Sequence, residues 1–158
     1  MVDDATVASI VVVVVTASLP FYLYGAWIML DAEWVTWGVL KRHLAFILPG
    51  LVLTTVPVVT WMLPRLLRNR RGLAIVHAFL GIQAYAMLTF ALTGIVRIFQ
   101  VKWTNDLYDD TPDDVRLSDL HEKADDWRKR LRVGVFGYVV LWLLAYVVGL
   151  LQYAAFYL

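Results

Sequence analysis

The stretch GLAIVHAFLGIQAYAMLTFALTGIV, residues 72–96, decides the fold of this chain. It contains no Asp, Glu, Lys or Arg, and arginines lie on both sides of it. As a helix with a rise of about 1.5 Å per residue, it is long enough to cross a hydrocarbon core of about 30 Å. Because lipid offers no hydrogen bonds to a peptide backbone, a stretch in that environment must be helical. Residues 72–96 therefore predict a transmembrane helix.

Three further apolar runs extend this prediction to the whole chain. The apolar fraction is 61%, well above the roughly 45–50% of a soluble domain. The predicted spans are residues 5–30, 43–63, 72–96 and 133–158, which indicate an all-α integral membrane four-helix bundle in one domain of residues 1–158. The start of the chain is acidic and has no basic residue, so we expect the first run to be a retained span rather than a cleaved signal peptide.

Prolines lie within the first two predicted spans. Pro20 is expected to kink the first span, Pro49 and Pro57 lie inside the second, and Pro64 is expected to close it. One face of the second span is polar or small at helical spacing, and polar groups avoid lipid. We therefore expect this face to point towards the other helices; it consists of His43, Ile47, Gly50, Thr54, Pro57 and Trp61.

Residues 100–132 form the only long polar region. Apolar residues recur there near helical spacing with charges between them, which predicts an amphipathic helix over residues 112–127 that lies on the membrane surface and leads into the fourth span. On the fourth span, Gly134, Ala145 and Gly149 share one face. Small residues allow a neighbouring backbone to approach closely, so these three are predicted helix-packing positions.

The distribution of Lys and Arg predicts the orientation in a cell membrane. Four spans place both termini on the same side as the basic turn of Arg65, Arg68, Arg70 and Arg71. That turn is a topology signal and also a candidate site for acidic lipid headgroups. More Lys and Arg lie near the span ends on the opposite side, so the positive-inside rule places loop 100–132 in the cytoplasm and the termini outside.

The three histidines are the candidate ligands for haem b or a metal, since a neutral imidazole nitrogen ligates either. His43 and His77 lie near opposite ends of adjacent spans, about 20–25 Å apart along the axis at about 1.5 Å per residue, so they cannot share one haem. The pairs that match in depth are His77 with Met62, and His43 with His121 or Met29. The alternative is that His77 is a packing residue hydrogen-bonded to a neighbouring helix, while His43 and His121 are interfacial.

Several absences in the sequence limit the function classes. No Asp or Glu lies inside a predicted span, whereas ion-coupled carriers usually place an acid at mid-membrane. No catalytic constellation, phosphate-binding glycine motif or nucleic-acid motif is apparent, so the sequence favours a protein that is not an enzyme and does not bind nucleic acid. The chain has no cysteine, which excludes disulfides and iron–sulfur clusters.

The segment LHEKADDWRKRLRVGVFGYVVLWLLAYVVGLLQYAAFY, residues 120–157, resembles the last loop and helix of small four-span membrane proteins encoded beside respiratory-chain genes. With Lys41, Arg42, His43 and His77, and with its Asp-rich loop, the whole chain is similar to an uncharacterised four-span haloarchaeal family associated with cytochrome bc-type and terminal oxidase modules. This resemblance implies a non-catalytic accessory or assembly subunit of a respiratory membrane complex, with a membrane protein partner or a second copy beside it.

Two other functions remain open from the sequence. One is a small b-type cytochrome or metal-binding electron carrier that uses the histidine pairs above. The other is a lipid- or quinone-binding module with a cleft between the second and third spans, lined by His77, Tyr85 and Thr54.

Overall fold

The computed structural model describes residues 3–33, 35–68, 72–104 and 121–158. Within these ranges the chain forms long helices, and the predicted all-α four-helix bundle is confirmed. The elements are α1 (Asp4–Ala17), α2 (Leu19–Asp31), α3 (Trp37–Pro57), a π-helical turn (Val58–Met62), α4 (Leu63–Arg68), α5 (Gly72–Thr104) and α6 (Ala124–Tyr157).

The four spans are longer than the apolar runs that predicted them. They are Asp4–Asp31, Trp37–Leu66, Gly72–Thr104 and Ala124–Tyr157. Hydropathy marks where a run becomes apolar, but a helix begins at its cap. The second span starts after Thr36, whose Oγ1 accepts a hydrogen bond from the Val39 N–H at 3.3 Å. Polar residues such as Lys41 and Arg42 therefore lie on the helix and not before it.

Prolines lie beside irregularities in the first two spans. The first span is interrupted at Ser18, two residues before Pro20, and the buried Ser18 hydroxyl donates to the Val15 carbonyl at 2.6 Å. Pro57 ends α3 and is followed directly by the π-helical turn. Pro64 does not close the second span: it directly follows the π-helical turn and lies in α4, which continues the span to Leu66.

The predicted amphipathic helix over residues 112–127 lies mostly outside the described residues. Its last four residues, from Ala124 to Trp127, form the first turn of α6 and continue without a break into the fourth span. The basic residues that follow belong to the same helix. Arg128 and Arg132 donate to the carbonyls of Glu33 and Ala32. These two arginines therefore fix the connector between α2 and α3 to the start of the fourth span.

The helices pack as two pairs. The first span lies against the second through α2 and α3, and α5 lies against α6 along much of its length. The two pairs meet mainly where α2 contacts α6. Between α3 and α5 the backbones almost never approach closely. The second and third spans are therefore neighbours without a packed interface.

Burial divides the bundle into two halves. The loop half lies nearer the α2–α3 connector and the end of α5 at Thr104, and the turn half lies nearer Asp4, Arg65 and the end of α6. Buried residues of α5 begin only at Ala84, and those of α6 end at Ala145. The loop half therefore contains the close-packed core, whereas inward-facing residues of the turn half are mostly only half buried.

Candidate functional site

Three buried hydroxyl groups form a continuous chain of hydrogen bonds at the middle of the bundle. Tyr138 of the fourth span donates to the Tyr22 hydroxyl of the first span at 2.7 Å, and that hydroxyl lies 2.5 Å from Thr54 Oγ1 of the second. Thr54 in turn donates to the Gly50 carbonyl at 3.0 Å. Each hydroxyl has a partner, as buried polar groups require in lipid. This hydroxyl chain joins three spans and leaves no spare proton donor in it.

Two more hydroxyl pairs join the first and fourth spans in the turn half. Thr16 Oγ1 lies 2.8 Å from the Tyr146 hydroxyl, and Ser9 Oγ lies 2.7 Å from the Tyr153 hydroxyl. The serine and the threonine also donate to carbonyls four residues earlier in α1. The backbones of α1 and α6 make few close contacts, and the long tyrosine side chains reach across the gap between them.

Glycines in the loop half allow two helices to touch. A Cβ atom placed on Gly134 would lie 2.7 Å from the backbone nitrogen of Ala91, and one on Gly94 would lie 2.8 Å from the Trp127 carbonyl oxygen. No side chain larger than hydrogen fits at either position without moving a backbone. The structure thus brings the predicted packing residue Gly134 against α5, and Ala145 is buried at 6% exposure on the same helix.

Gly81 is the opposite case. It lies on the stripe of α5 that includes the buried Ala84 and the half-buried Tyr85, so it faces the inside of the bundle. Nevertheless, a Cβ atom placed there would meet no heavy atom within 4 Å. We call this space, between α5 and the second span, the Gly81 opening. On its loop-half side it ends at a hydrogen bond of 3.0 Å between the hydroxyls of Tyr85 and Thr55.

His77 lies one helical turn from Gly81, towards the arginine turn. Its Nδ1 lies 3.4 Å from Gln152 Oε1, and its ring packs on Gly149, where an added Cβ would lie 3.0 Å from Cε1. The ring is half buried. The predicted packing residue Gly149 therefore provides the flat surface for an imidazole, and His77 is hydrogen-bonded to a neighbouring helix. Its predicted partner Met62 lies in the π-helical turn of the second span.

His43 lies in the close-packed loop half and is buried between helices. It is 2% exposed, and its Nδ1 lies 2.7 Å from the Gly25 carbonyl oxygen of α2. Since a carbonyl only accepts, Nδ1 carries a proton and donates it to this bond. Met29, one of its predicted partners, is fully buried one helical turn further along α2. The polar face predicted for the second span is buried at His43, Ile47, Gly50, Thr54 and Pro57, while Trp61 is half buried.

His121 lies before α6 and is engaged locally. Its Nδ1 accepts a hydrogen bond from the Lys123 backbone N–H at 3.0 Å, and its ring lies 4.7 Å from that of Trp127. Within the described ranges, no group of three or more His, Cys, Asp or Glu residues is arranged to hold a metal ion. No finding tests the haem pairs themselves, which remain predictions.

Arg65 is the described member of the basic turn with the most contacts. Its guanidinium forms an ion pair with Asp4, donates to the Tyr157 hydroxyl at 3.3 Å, and lies 4.4 Å from the centre of the Trp61 ring. These contacts place both ends of the chain beside the basic turn. The side chain of Arg68, and Arg70 and Arg71 altogether, lie outside the described residues, so the headgroup prediction for them remains a prediction.

Lys102 is a buried charge among the Lys and Arg residues near the span ends that predicted the orientation. It is 5% exposed, and its Nζ lies 3.7 Å from the centre of the Trp37 ring, which also packs edge-on against Phe99. A cation over an indole face is stabilised by the ring quadrupole. The tryptophan-rich connector was the available signal for such a contact. A single sequence does not show which tryptophan meets which lysine.

These features define the class of the protein: a multi-pass α-helical membrane protein with a hydroxyl-bonded centre, a close-packed loop half and a more open turn half. The chain belongs to the family DUF7321, a domain of unknown function, whose model matches residues 4–158. No curated protein matches the chain, and neither does any solved structure.

Proposed function

We propose that this protein is a non-catalytic subunit that associates side by side with another membrane protein, as an accessory or assembly component of a larger membrane complex. The observation that supports this proposal is Gln83, which lies near the middle of the third span and is exposed. Its side-chain amide has no hydrogen-bond partner within the described part of the chain. An amide that faces hydrocarbon without a partner is costly, and amides commonly join transmembrane helices.

The surroundings of Gln83 support a docking face on α5. Its neighbours Phe79 and Ile82 are exposed over 61% and 65% of their surface, on the side of α5 away from Ala84. The interior hydroxyls, in contrast, are used to join this protein's own helices. A partner helix on this face would supply the hydrogen bond that the protein itself does not. The resemblance to proteins encoded beside respiratory genes suggests a respiratory complex as the partner. The Lys and Arg near the span ends support loop 100–132 in the cytoplasm and the termini outside.

Cross-linking from Ile82, which lies beside Gln83 on the same exposed face and leaves the amide in place, tests the proposal, because the chain contains no cysteine and a single introduced thiol is unique. Ile82→Cys in native membranes should give one cross-linked product that contains a respiratory-complex subunit, identified by mass spectrometry. Val56→Cys is the matched control, since Val56 lies at a similar depth on the second span and is 55% exposed. It should give no such product.

Purification provides the second measurement. In mild detergent the wild type should migrate with its partner on a native gel, and Gln83→Leu should lose most of that association while its helix content is unchanged. A protein that is isolated alone at every detergent strength, with no product from Ile82→Cys, would disprove the proposal. A product that contains only two copies of this chain would replace the respiratory partner with a homodimer.

The electron-carrier alternative has its own test. A spectrum of the purified protein, oxidised and then reduced with dithionite, should show no stoichiometric haem bands if the subunit proposal holds. Sharp reduced bands that disappear in His77→Ala or His43→Ala would instead establish a b-type cytochrome.

A further inference from the structure

We propose that the Gly81 opening binds one isoprenoid quinone or quinol, with its ring between His77 and Tyr85. The proposal concerns the isolated protein and does not depend on its partner in a complex. It rests on three features of the turn half: an inward-facing glycine with space beside it, an irregular helix across that space, and polar groups at its two ends.

The space itself is the first feature. Wherever two helices of the bundle pack, glycines meet backbone or side-chain atoms, as Gly134 and Gly94 do. Gly81 faces inward without any such contact, at the place where α3 and α5 do not approach each other. Apolar walls that meet no protein atoms gain dispersion contacts only from another molecule, so an apolar molecule from the bilayer is expected to fill the Gly81 opening.

The second feature is the wall across from Gly81. The Tyr85–Thr55 hydrogen bond fixes the register of α5 against the second span. Depth along the helices can be counted from that bond at about 1.5 Å per residue. On this count the π-helical turn Val58–Met62, Gly81 and His77 all lie within about 12 Å of the bond, on its turn-half side. A π-helical turn widens a helix locally and often occurs at functional sites. No residue of this turn is buried, which agrees with an open space beside it.

The polar groups at the two ends are the third feature. His77 and Tyr85 are two helical turns apart, about 12 Å along α5, which leaves room for a ring that is hydrogen-bonded at both ends. The Tyr85 hydroxyl is bonded to Thr55, and either oxygen could be the donor. A hydroxyl has capacity for a further bond. His77 is bonded to Gln152 through Nδ1, so rotation of the Gln152 amide exchanges which histidine nitrogen carries the proton.

This exchange of roles favours a quinone over a phospholipid. Both His77 and Tyr85 can act as donor or as acceptor, which matches a ligand whose oxygens are carbonyls in one form and hydroxyls in the other. Ester and phosphate oxygens of a lipid only accept. The described cation nearest this end, Arg65, is already paired with Asp4, so an anionic headgroup has no special advantage there.

Ligand binding to the purified wild-type protein tests the proposal. A short-chain ubiquinone analogue and a short-chain menaquinone analogue are titrated in detergent, with quenching of tryptophan fluorescence as the readout. The wild type should show saturable quenching by at least one of them. Gly81→Leu fills the opening and should weaken binding by about tenfold or more, and His77→Ala by about threefold to tenfold.

Gly72→Leu is the matched control, because Gly72 also has no atom within 4 Å of an added Cβ but lies exposed at the start of α5. It should bind the quinone analogues as the wild type does.

Circular dichroism measures whether each variant is folded. If Gly81→Leu does not fold, binding to His77→Ala still tests the proposal. Quenching that is linear and equal in all proteins would show partitioning into detergent and disprove the site. Displacement of the quinone by an equal concentration of a short-chain ester phospholipid would identify a lipid site instead.

Discussion

The two halves of this bundle hold their helices together in different ways. In the loop half, small residues let helices touch, and large apolar side chains such as Met29, Leu40 and Leu131 are completely buried. In the turn half, the helices are farther apart, and hydroxyl pairs such as Thr16–Tyr146 and Ser9–Tyr153 connect them. Lipid gives no hydrophobic driving force between helices, so close packing and hydrogen bonds are the two means available.

This difference separates stability from binding capacity. A close-packed region loses stability when its volume changes, and it has no room for a ligand. A region joined by long polar side chains keeps its helices in register while leaving space between them. The turn half also contains the interrupted first span and the π-helical turn, which the loop half lacks among its described residues. We therefore expect substitutions in the two halves to affect different properties.

The largest expected effect is from Gly134→Leu in the loop half. The new side chain would displace the Ala91 backbone, and overpacking of this kind costs about 3 kcal/mol or more. The midpoint of thermal or SDS-induced unfolding should fall sharply, and much of the protein should aggregate. Gly81→Leu in the turn half, the same change on the opposite helix, should shift the midpoint little. Equal losses from both would show that the two halves are packed alike.

The histidines provide the second comparison. His43→Ala removes a fully buried ring and its bond to Gly25, and large-to-small changes in a core cost about 2–5 kcal/mol. His77→Ala removes a half-buried ring with a long hydrogen bond, so its cost should be about 1 kcal/mol. The same unfolding assay measures both. A greater loss of stability from His77→Ala would mean that the turn half is not the looser one.

The sequence predicted much of the fold and less of the site. Apolar runs set the number of spans, because only helices satisfy the backbone in lipid. Apolar runs alone left His43 at the very end of the second span, whereas the polar face of that span predicted that His43 points towards the other helices. It is buried inside the bundle because the helix begins six residues earlier than its apolar run. The proximity of Tyr22 to Tyr138 and the space beside Gly81 depend on how helices pair, which periodicity within one helix does not determine.

A third, smaller effect is expected where the halves meet. Tyr22→Phe removes the central hydroxyl of the chain and leaves Tyr138 and Thr54 without that partner. The expected cost is about 1–2 kcal/mol, since removal of one partner leaves buried polar groups unsatisfied. Tyr153→Phe breaks only the half-buried pair with Ser9, which keeps its bond to Ala5, so we expect less than half of that cost. An unfolding midpoint unchanged in Tyr22→Phe would show that the hydroxyl chain adds no stability.

The smallest expected effect lies at the outer end of the turn half, where α1 begins. Asp3 Oδ1 accepts the Thr6 backbone N–H at 2.6 Å, and this hydrogen bond lowers the pKa of the carboxyl below its ordinary value. Because the pKa is lower in the folded state, the cap stabilises α1 at pH values above the ordinary aspartate value of about 3.9. The stabilisation is lost as the pH falls through the lowered pKa. Hydrogen exchange at the Thr6 amide should therefore show a loss of protection below about pH 4, beyond the intrinsic change of exchange rate with pH.

Asp3→Asn is the control for this prediction. Asparagine still caps the helix but does not titrate, so the protection of the Thr6 amide should not change in this way. If the same loss occurs in Asp3→Asn, another group controls the acid response of this end of the bundle.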